Sequence, residues 1–273
     1  MRWSDLRQSS NVEDRRGMGG PMMIGGGGLG VLVLALAVWL CGGDPSQLLQ
    51  SGPNGSEVPQ PGQTANRVSP DQNRKFAGAI EGNLEDTWKQ ILPQQAHVQF
   101  RPPVLSLYTG QVASACGNAS AAMGPFYCPG DRKLYLDFAF FDELRREFKA
   151  PGDFAQAYVI AHEFGHHIQN LVGTMDKVQR AGENNRLSVA LELQADCYAG
   201  IWGYYAQKQN LLEAGDAEEA LRAASSVGDD MIQKRTQGYV VPESFTHGSA
   251  QQRMQWFTRG FQSGQMSQCQ TFR

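Results

Sequence analysis

The sequence lacks the patterns of a nucleic-acid-binding protein and of a zinc site built from cysteine. Its net charge is −3, and no basic stripe is present, which argues against nucleic acid as a partner. No Cys-x-x-Cys pair occurs among its five cysteines, so cysteine is not indicated as a zinc ligand. The chain has only five histidines, and His97 lies in an extended run typical of an ordinary strand. The spacing of the other histidines therefore carries the information.

Charge is also absent near the N-terminus. No charged residue occurs from Gly17 to Gly43, and residues 22–42 approach the length of about 20 apolar residues that a membrane helix needs. A cleaved signal peptide is the rival interpretation, but no clear small-x-small cleavage site follows. We therefore expect an uncleaved single-pass anchor at residues 22–42. The arginines within residues 1–21 predict a cytoplasmic N-terminus and an extracytoplasmic remainder, in the periplasm or at the cell surface.

Residues 43–70 are rich in Pro, Gly, Ser and Gln and have no apolar period, which predicts a flexible linker. Residues 71–273 then form one domain of ordinary size. Its strands and helices are predicted from the hydrophobic pattern. The strands are expected at 97–100, 104–108, 111–115 and 133–136. The helices are expected at 71–91, 152–171, 187–206, 217–235 and 250–261. This order indicates an α+β domain, helix-rich and with a small sheet.

The central motif is His-Glu-x-x-His at residues 162–166. An apolar stripe around it predicts a helix, on which His162 and His166 lie one turn apart on the same face. Two imidazoles so placed can bind one metal ion, and Glu163 lies close enough to act on a metal-bound water. A charged, solvated helix turn is the alternative. The longer metalloprotease motif is absent, because Gln169 and Val172 stand where it has Gly and His.

Catalytic zinc needs a third protein ligand, and the next helix supplies a candidate. Glu192 and Asp196 are again i and i+4, and two such carboxylates repel unless a positive charge lies between them. We expect Glu192 to bind the metal. Asp196 would accept the second ring N–H of a ligating histidine. Alternatively, both are ordinary surface acids.

Several motifs together resemble the bacterial neutral zinc metallopeptidase family. They are Gly-Pro-Phe-Tyr-Cys-Pro at 124–129, the run at 157–169, Glu-Leu-Gln-Ala-Asp at 192–196, Gly-Asp-Asp at 228–230 and Phe-Thr-His-Gly at 245–248. The metal site is similar to that of gluzincins. The resemblance implies a zincin-like, membrane-anchored peptidase with one Zn²⁺ per chain, acting on peptide or protein substrates.

In such an enzyme Glu163 is the general base, and His247 is the candidate second donor to the oxyanion. Two alternatives to the peptidase remain: an exported zinc-binding protein without catalysis, and a zinc hydrolase of a non-protein amide. His247 could also be a loop histidine that binds backbone. Asp229 and Asp230 are interpreted as the solvated end of a helix whose start at Asp216 has a capping-box pattern.

Four of the cysteines fit an exported protein. Cys116 and Cys128 bracket a loop suited to a local disulfide, and Cys197 could pair with Cys269 near the C-terminus. Four cysteines allow three pairings, and the sequence leaves the choice open. Cys41 lies at the edge of the predicted anchor and is expected to be free.

Overall fold

The computed structural model describes residues 1–17, 70–182 and 184–272. In chain order the strands are β1 (Val12–Asp14), β2 (Val104–Tyr108), β3 (Gln111–Ser114), β4 (Gly117–Ser120), β5 (Phe126–Cys128) and β6 (Lys133–Asp137). The helices are α1 (Pro70–Ala96), α2 (Ala139–Arg146), α3 (Asp153–Leu171), α4 (Thr174–Ala181), α5 (Asn185–Lys208), α6 (Asp216–Ser226), α7 (Asp229–Gln237) and α8 (Ala250–Ser263). The protein is a helix-rich α+β fold, as the sequence predicts.

Four strands form one mixed sheet in the order β1-β2-β6-β5. The pairs β1–β2 and β2–β6 are parallel, and β5 runs antiparallel to β6 at one end of the sheet. Strands β2 and β6 carry the apolar residues of the sheet, with Leu105, Leu107, Leu134 and Leu136 buried in the main core. Strands β3 and β4 form a separate antiparallel hairpin.

The main core lies between this sheet and the helices α1, α3, α5 and α6. Along α1 the buried side chains recur every three or four residues, from Phe76 through Ile80, Leu84 and Trp88, which is the pattern of a helix with one apolar face. Trp202 of α5 stacks on Phe154 of α3 with ring centroids 5.6 Å apart. Helices α3 and α5 are thereby fixed against each other and against the sheet.

The segment before residue 17 belongs to this domain. Strand β1 pairs with β2 through Val12 opposite Leu105. Arg7 donates hydrogen bonds to Glu85 at 2.9 Å and to Asp86 at 2.8 Å on α1. The α-ammonium of Met1 lies 2.8 Å from the carboxylate of Asp153. The expected domain, which begins at residue 71, therefore leaves out one strand of the sheet and a segment bound to α1.

The same contacts bear on the expected cytoplasmic segment at residues 1–21. Residues 1–16 pack into one unit with residues 70–272, so they do not form a separate segment. No local sequence pattern predicts this packing, because the three residues of β1 pair with residues more than 90 positions later in the chain. The predicted anchor at 22–42, the predicted linker at 43–70 and Cys41 lie outside the described residues, apart from Pro70, the first residue of α1. Within the described residues no helix has the length and apolar content to cross a bilayer.

The structure corrects two predicted elements. Residues 97–100 form no strand; they are an irregular segment that begins with His97 at a positive φ of 55°. The predicted helix at 217–235 is two helices, α6 and α7, separated at Gly228, whose backbone is extended. Gly215 rather than Asp216 is the N-cap of α6. The capping box of Ser249 and Gln252 at the start of α8 is present.

Two disulfides complete the fold. Cys116 bonds to Cys128 and ties the β3–β4 turn to β5. Cys197 bonds to Cys269 and ties α5 to the C-terminal segment. The sequence leaves three pairings of these four cysteines open, and the structure has the one that joins Cys116 to Cys128 and Cys197 to Cys269.

We predict that an alanine at Gly82 displaces the N-terminal segment, whereas an alanine at Gly78 does not. A Cβ at Gly82 would lie 2.4 Å from the backbone oxygen of Arg7, but at Gly78 the nearest atom is the flexible side-chain oxygen of Gln8 at 2.6 Å. Overpacking against backbone costs about 1–3 kcal/mol. Removing a helix glycine gains up to about 1 kcal/mol.

Thermal melts of the full chain and both variants test this. Gly82→Ala should lower the melting temperature, and Gly78→Ala should leave it unchanged or raise it. Equal stabilisation by both changes would mean that residues 1–16 do not pack on α1.

Candidate metal centre and active site

The site forms where α3 crosses α5. A Cβ at Gly165 would lie 2.9 Å from the backbone oxygen of Ala195, so a residue without a side chain is needed at this crossing. Gly165 lies between His162 and His166 on α3, and Ala195 lies between Glu192 and Asp196 on α5. The close approach therefore brings the two i, i+4 pairs of the sequence face to face.

Three side chains meet at this crossing with the geometry of a metal site. Ligand atoms of His162, His166 and Glu192 all lie within 4.8 Å of one another. Nε2 of His162 lies 3.1 Å from Oε2 of Glu192, and Nε2 of His166 lies 3.3 Å from Oε1. Two imidazoles and one carboxylate are a ligand set of catalytic zinc, which leaves a fourth position for water or substrate.

The opposite ring nitrogens have partners that fix both imidazoles. Nδ1 of His162 lies 2.9 Å from Oδ1 of Asp196, and Nδ1 of His166 lies 2.9 Å from Oε1 of Gln169. The amide of Gln169 donates to the backbone oxygen of Leu191 at 2.7 Å, so its Oε1 faces the ring. Because carboxylate and amide oxygens only accept, each Nδ1 carries a proton, and Nε2 is the ring atom left to bind a metal beside the Glu192 carboxylate.

The charge of the site favours a cation. Burial by itself lowers the pKa of His162, but the carboxylates of Asp196 and Glu192 together outweigh it and raise the pKa to about 10. Burial by itself raises the pKa of Glu192, but the neighbouring imidazoles lower that pKa well below its ordinary value. The carboxylates thus draw positive charge to the point where the three ligands converge, and a divalent cation satisfies this charge.

Asp196 is fully buried and receives hydrogen bonds from two other helices. Besides His162, Tyr158 of α3 donates to its Oδ1 at 2.5 Å. Arg253 of α8 donates from Nε to Oδ2 at 2.8 Å and from Nη2 to Oδ1 at 2.9 Å. The structure thus brings Asp196 to hydrogen-bonding distance of His162. No local pattern indicates Arg253, because α8 is distant along the chain and its charge pattern is ordinary.

His247 lines the same cavity as the candidate metal ligands; it lies on the loop before α8, where Asp229 holds it. Nδ1 of His247 lies 3.1 Å from Oδ1 of Asp229. Oδ2 of Asp229 accepts the backbone N–H groups of Thr246, His247 and Gly248 at 2.7, 2.6 and 3.0 Å. This corrects the interpretation of Asp229 as a solvated helix end, since it is 8% exposed and organises the loop. The hydrogen bond that His247 donates to Asp229 raises the pKa of His247.

His167 points away from the ligands and connects α3 to the edge strand β5. Its Nε2 donates to the backbone oxygen of Arg101 at 2.7 Å, and its Nδ1 accepts from the hydroxyl of Tyr127 at 3.1 Å. Burial lowers the pKa of His167 to about 4, so the ring stays neutral and keeps these two bonds. Tyr127 also accepts from Asn170 at 2.8 Å. Strand β5 is thereby fixed against α3, the helix that carries two of the candidate metal ligands.

These parts line one cavity of about 610 Å³. Its polar side holds the three candidate ligands together with Glu163, His247 and Arg253, and its apolar side includes residues of β5 and α2. Glu163 is partly buried and lies in the same wall as the ligands. The cavity thus combines a candidate cation site, a carboxylate that is not among its three ligands, and further side chains that can donate hydrogen bonds.

A second group of acids has a different character. Ligand atoms of Asp153, Asp216 and Glu219 also lie within 4.8 Å of one another. The α-ammonium of Met1 lies 2.8 Å from Asp153 and 3.3 Å from Asp216. An internal cation therefore already compensates this cluster, and it is not a candidate metal site.

Comparison with known proteins agrees with this geometry. A family model described as "Putative neutral zinc metallopeptidase" matches residues 1–272. The uncharacterized protein YpfJ of Escherichia coli is 45% identical over 289 aligned residues, which cover 100% of this chain and 99% of that protein. The uncharacterized protein Rv2575 of Mycobacterium tuberculosis is 41% identical over 253 residues, 83% of this chain and 85% of its own. No solved structure matches the chain.

We predict that Asp229 sets the pKa of His247. Asn at 229 keeps an oxygen for the three backbone N–H groups but removes the negative charge, so the pKa of His247 should fall from above its ordinary value of 6.5 in the parent. A proton titration followed by NMR on protein with carbon-13-labelled histidine measures it.

Asp230→Asn is the matched control, because Asp230 accepts from the backbone N–H of Ala250 at 2.7 Å and not from His247. An equal pKa of His247 in the parent and in Asp229→Asn would contradict the pairing.

Proposed function

The chain belongs to this family of neutral zinc metallopeptidases, and from that premise and the site geometry we propose that it is a zinc-dependent endopeptidase. The observation that carries the proposal is the convergence of His162, His166 and Glu192 within 4.8 Å, with Glu163 in the same cavity. A structural zinc site is normally closed by a fourth protein ligand and has no need of a proton acceptor. This arrangement favours catalysis over metal binding alone.

We assign one zinc ion per chain to His162, His166 and Glu192. When bound there, zinc polarises the scissile carbonyl and lowers the pKa of a coordinated water towards neutrality. Glu163 accepts the proton of the attacking water and delivers it to the leaving amine. His247, whose pKa is raised by its hydrogen bond to Asp229, donates from its protonated form to the carbonyl oxygen as negative charge develops on that oxygen. Asp196 and Gln169 hold the two imidazoles in the tautomer that presents Nε2.

An endopeptidase is favoured by the position of β5. This strand ends the sheet and contributes Phe126 and Tyr127 to the cavity wall. An extended chain can lie along such an edge by main-chain hydrogen bonding. Binding through main-chain groups needs no free substrate terminus, which suits an endopeptidase.

We further propose that the domain works outside the cytoplasm. The disulfides Cys116–Cys128 and Cys197–Cys269 support this, because such bonds persist in oxidising compartments. Because β1 and β2 are strands of one sheet, we place residues 1–16 on the same side of the membrane as the domain. This revises the expected arrangement with a cytoplasmic N-terminus. A segment at residues 22–42 that crossed the membrane once would put residues 1–16 and the domain on opposite sides, so this proposal replaces the expected single-pass anchor.

We predict that Glu163→Gln separates metal binding from catalysis. The variant should retain one zinc per chain by elemental analysis, because Glu163 is not a ligand. Cleavage should fall by about 10²–10⁴-fold, the usual contribution of a general base. The assay uses full-length protein, since residues 1–16 are part of the domain, and a library of peptides blocked at both ends, which only an endopeptidase cuts.

Glu147→Gln, an exposed acid after α2, is the matched control and should cleave like the parent. Zinc in the parent with cleavage in none of the proteins would favour a zinc-binding protein without peptidase activity. Absence of zinc from the folded parent after resupply would remove the metal site itself.

We predict that residues 1–16 and the domain after residue 70 are labelled from the same side of the membrane. Ser4→Cys and Glu218→Cys, each in a Cys41→Ser background, place one thiol on an exposed position of residues 1–16 and of α6. A membrane-impermeant maleimide should label both in intact spheroplasts. If Ser4→Cys is labelled only after lysis while Glu218→Cys is labelled in intact spheroplasts, the N-terminus is cytoplasmic and the proposed arrangement is wrong. Labelling of both only after lysis would refute export.

A further inference from the structure

Arg253 is the residue of the site whose role is not accounted for by the metal ligands or the general base. Its side chain is 4% exposed although it carries a full charge. Nε and Nη2 form a two-point contact with the carboxylate of Asp196, at 2.8 and 2.9 Å. Buried charges are stable in a protein interior only when they are paired and hydrogen-bonded. The contact is thus a buried ion pair.

Both oxygens of the Asp196 carboxylate accept hydrogen bonds, and these bonds hold the carboxylate in one orientation. Oδ2 accepts from Nε of Arg253, and Oδ1 accepts from Nη2 of Arg253, from Tyr158 and from Nδ1 of His162. A planar guanidinium that binds both oxygens fixes the plane of the carboxylate as well as its position. Oδ1 is therefore held where it receives the Nδ1–H of His162.

The remaining donors of Arg253 are also largely committed to the protein. Nη2 lies 3.2 Å from the hydroxyl of Tyr158, and Nη1 donates to the backbone oxygen of Val227 at 3.3 Å. Nη2 also lies 3.2 Å from Nδ1 of His162, so Arg253 contacts the imidazole directly as well as through Asp196. Phe257, one helical turn after Arg253 on α8, packs edge-on against Tyr158 with ring centroids 5.5 Å apart. Helix α8 is thus fixed on α3, and the guanidinium is held by contacts that need no substrate.

We propose that Arg253 is a positioning residue for the metal site, acting through Asp196 to hold the His162 imidazole with Nε2 directed at the metal. The inference rests on the proposed function, because it assigns His162 as a zinc ligand. It goes beyond it in adding a residue from a third helix that touches neither Glu192 nor the general base. Loss of Arg253 leaves the buried carboxylate of Asp196 without its ion-pair partner and free to rotate away from His162.

Zinc affinity of the full-length protein, measured by competition with a chromogenic chelator, tests the proposal. Arg253→Met should raise the dissociation constant of zinc by roughly 10- to 100-fold, the usual effect of losing a group that orients a ligand. Arg253→Lys keeps the charge but not the two-point contact. Its dissociation constant for zinc should lie between those of the parent and Arg253→Met. Arg259→Met, on an exposed position of the same helix, is the matched control and should bind zinc like the parent.

A double-mutant cycle with Asp196→Asn shows whether Arg253 acts through Asp196. If it does, adding Arg253→Met to Asp196→Asn should weaken zinc binding little further. The double variant also removes both charges of the pair, which is tolerated better than removing one, so it keeps the test open if Arg253→Met alone fails to fold. The visible spectrum of the cobalt(II)-substituted proteins should change in Arg253→Met and not in Arg259→Met.

A folded Arg253→Met with the zinc affinity and cobalt spectrum of the parent would overturn the proposal. Losses in the double variant equal to the product of the two single losses would also overturn it, since Arg253 would then act independently of Asp196. A parent that binds no zinc would instead refute the proposed function, so the two failures are distinguishable.

Discussion

The buried carboxylate of Asp196 is the constraint on which the site depends. A charge with no exposure to water must be met by donors inside the protein, and Asp196 is 0% exposed. Its four donor contacts come from α3 and α8, while Asp196 itself is on α5. Three helices are therefore held in one relative placement by the need to satisfy a single group. The orientation of His162, and with it the shape of the metal site, follows from that placement.

A different carboxylate, that of Asp229, holds the loop that carries His247. The candidate ligands lie on helices, whereas His247 lies on a loop whose three successive N–H groups all bind Asp229. Helices hold ligands precisely enough for a metal, and a loop tethered at one carboxylate can adjust to a substrate. Candidate ligands on helices and His247 on a loop suit a site in which the cation is held rigidly and the donor to the substrate oxygen can move.

The sequence predicts the parts of this site that are local and misses those that are not. His162, His166, Glu192 and Asp196 could be found because each pair repeats at i, i+4, and a helix converts that spacing into a shared face. Arg253 could not, because its partner lies 57 residues away and an arginine on an amphipathic helix is ordinary. Asp229 was misread for the same reason, since its partners are in a loop 17 to 19 residues later.

The N-terminal segment, the least predictable part of the fold, is connected to α3, the helix that carries His162. Met1 contacts Asp153, the first residue of α3, and Asp216 at the start of α6, so the N-terminal segment neutralises acids that would otherwise repel each other where two helices begin. Strand β1 meanwhile completes one end of the sheet. Separating residues 1–16 from the rest would expose the edge of β2 and leave those acids uncompensated. The folded unit is therefore residues 1–16 with 70–272, and the stability of the helix that carries His162 depends on both.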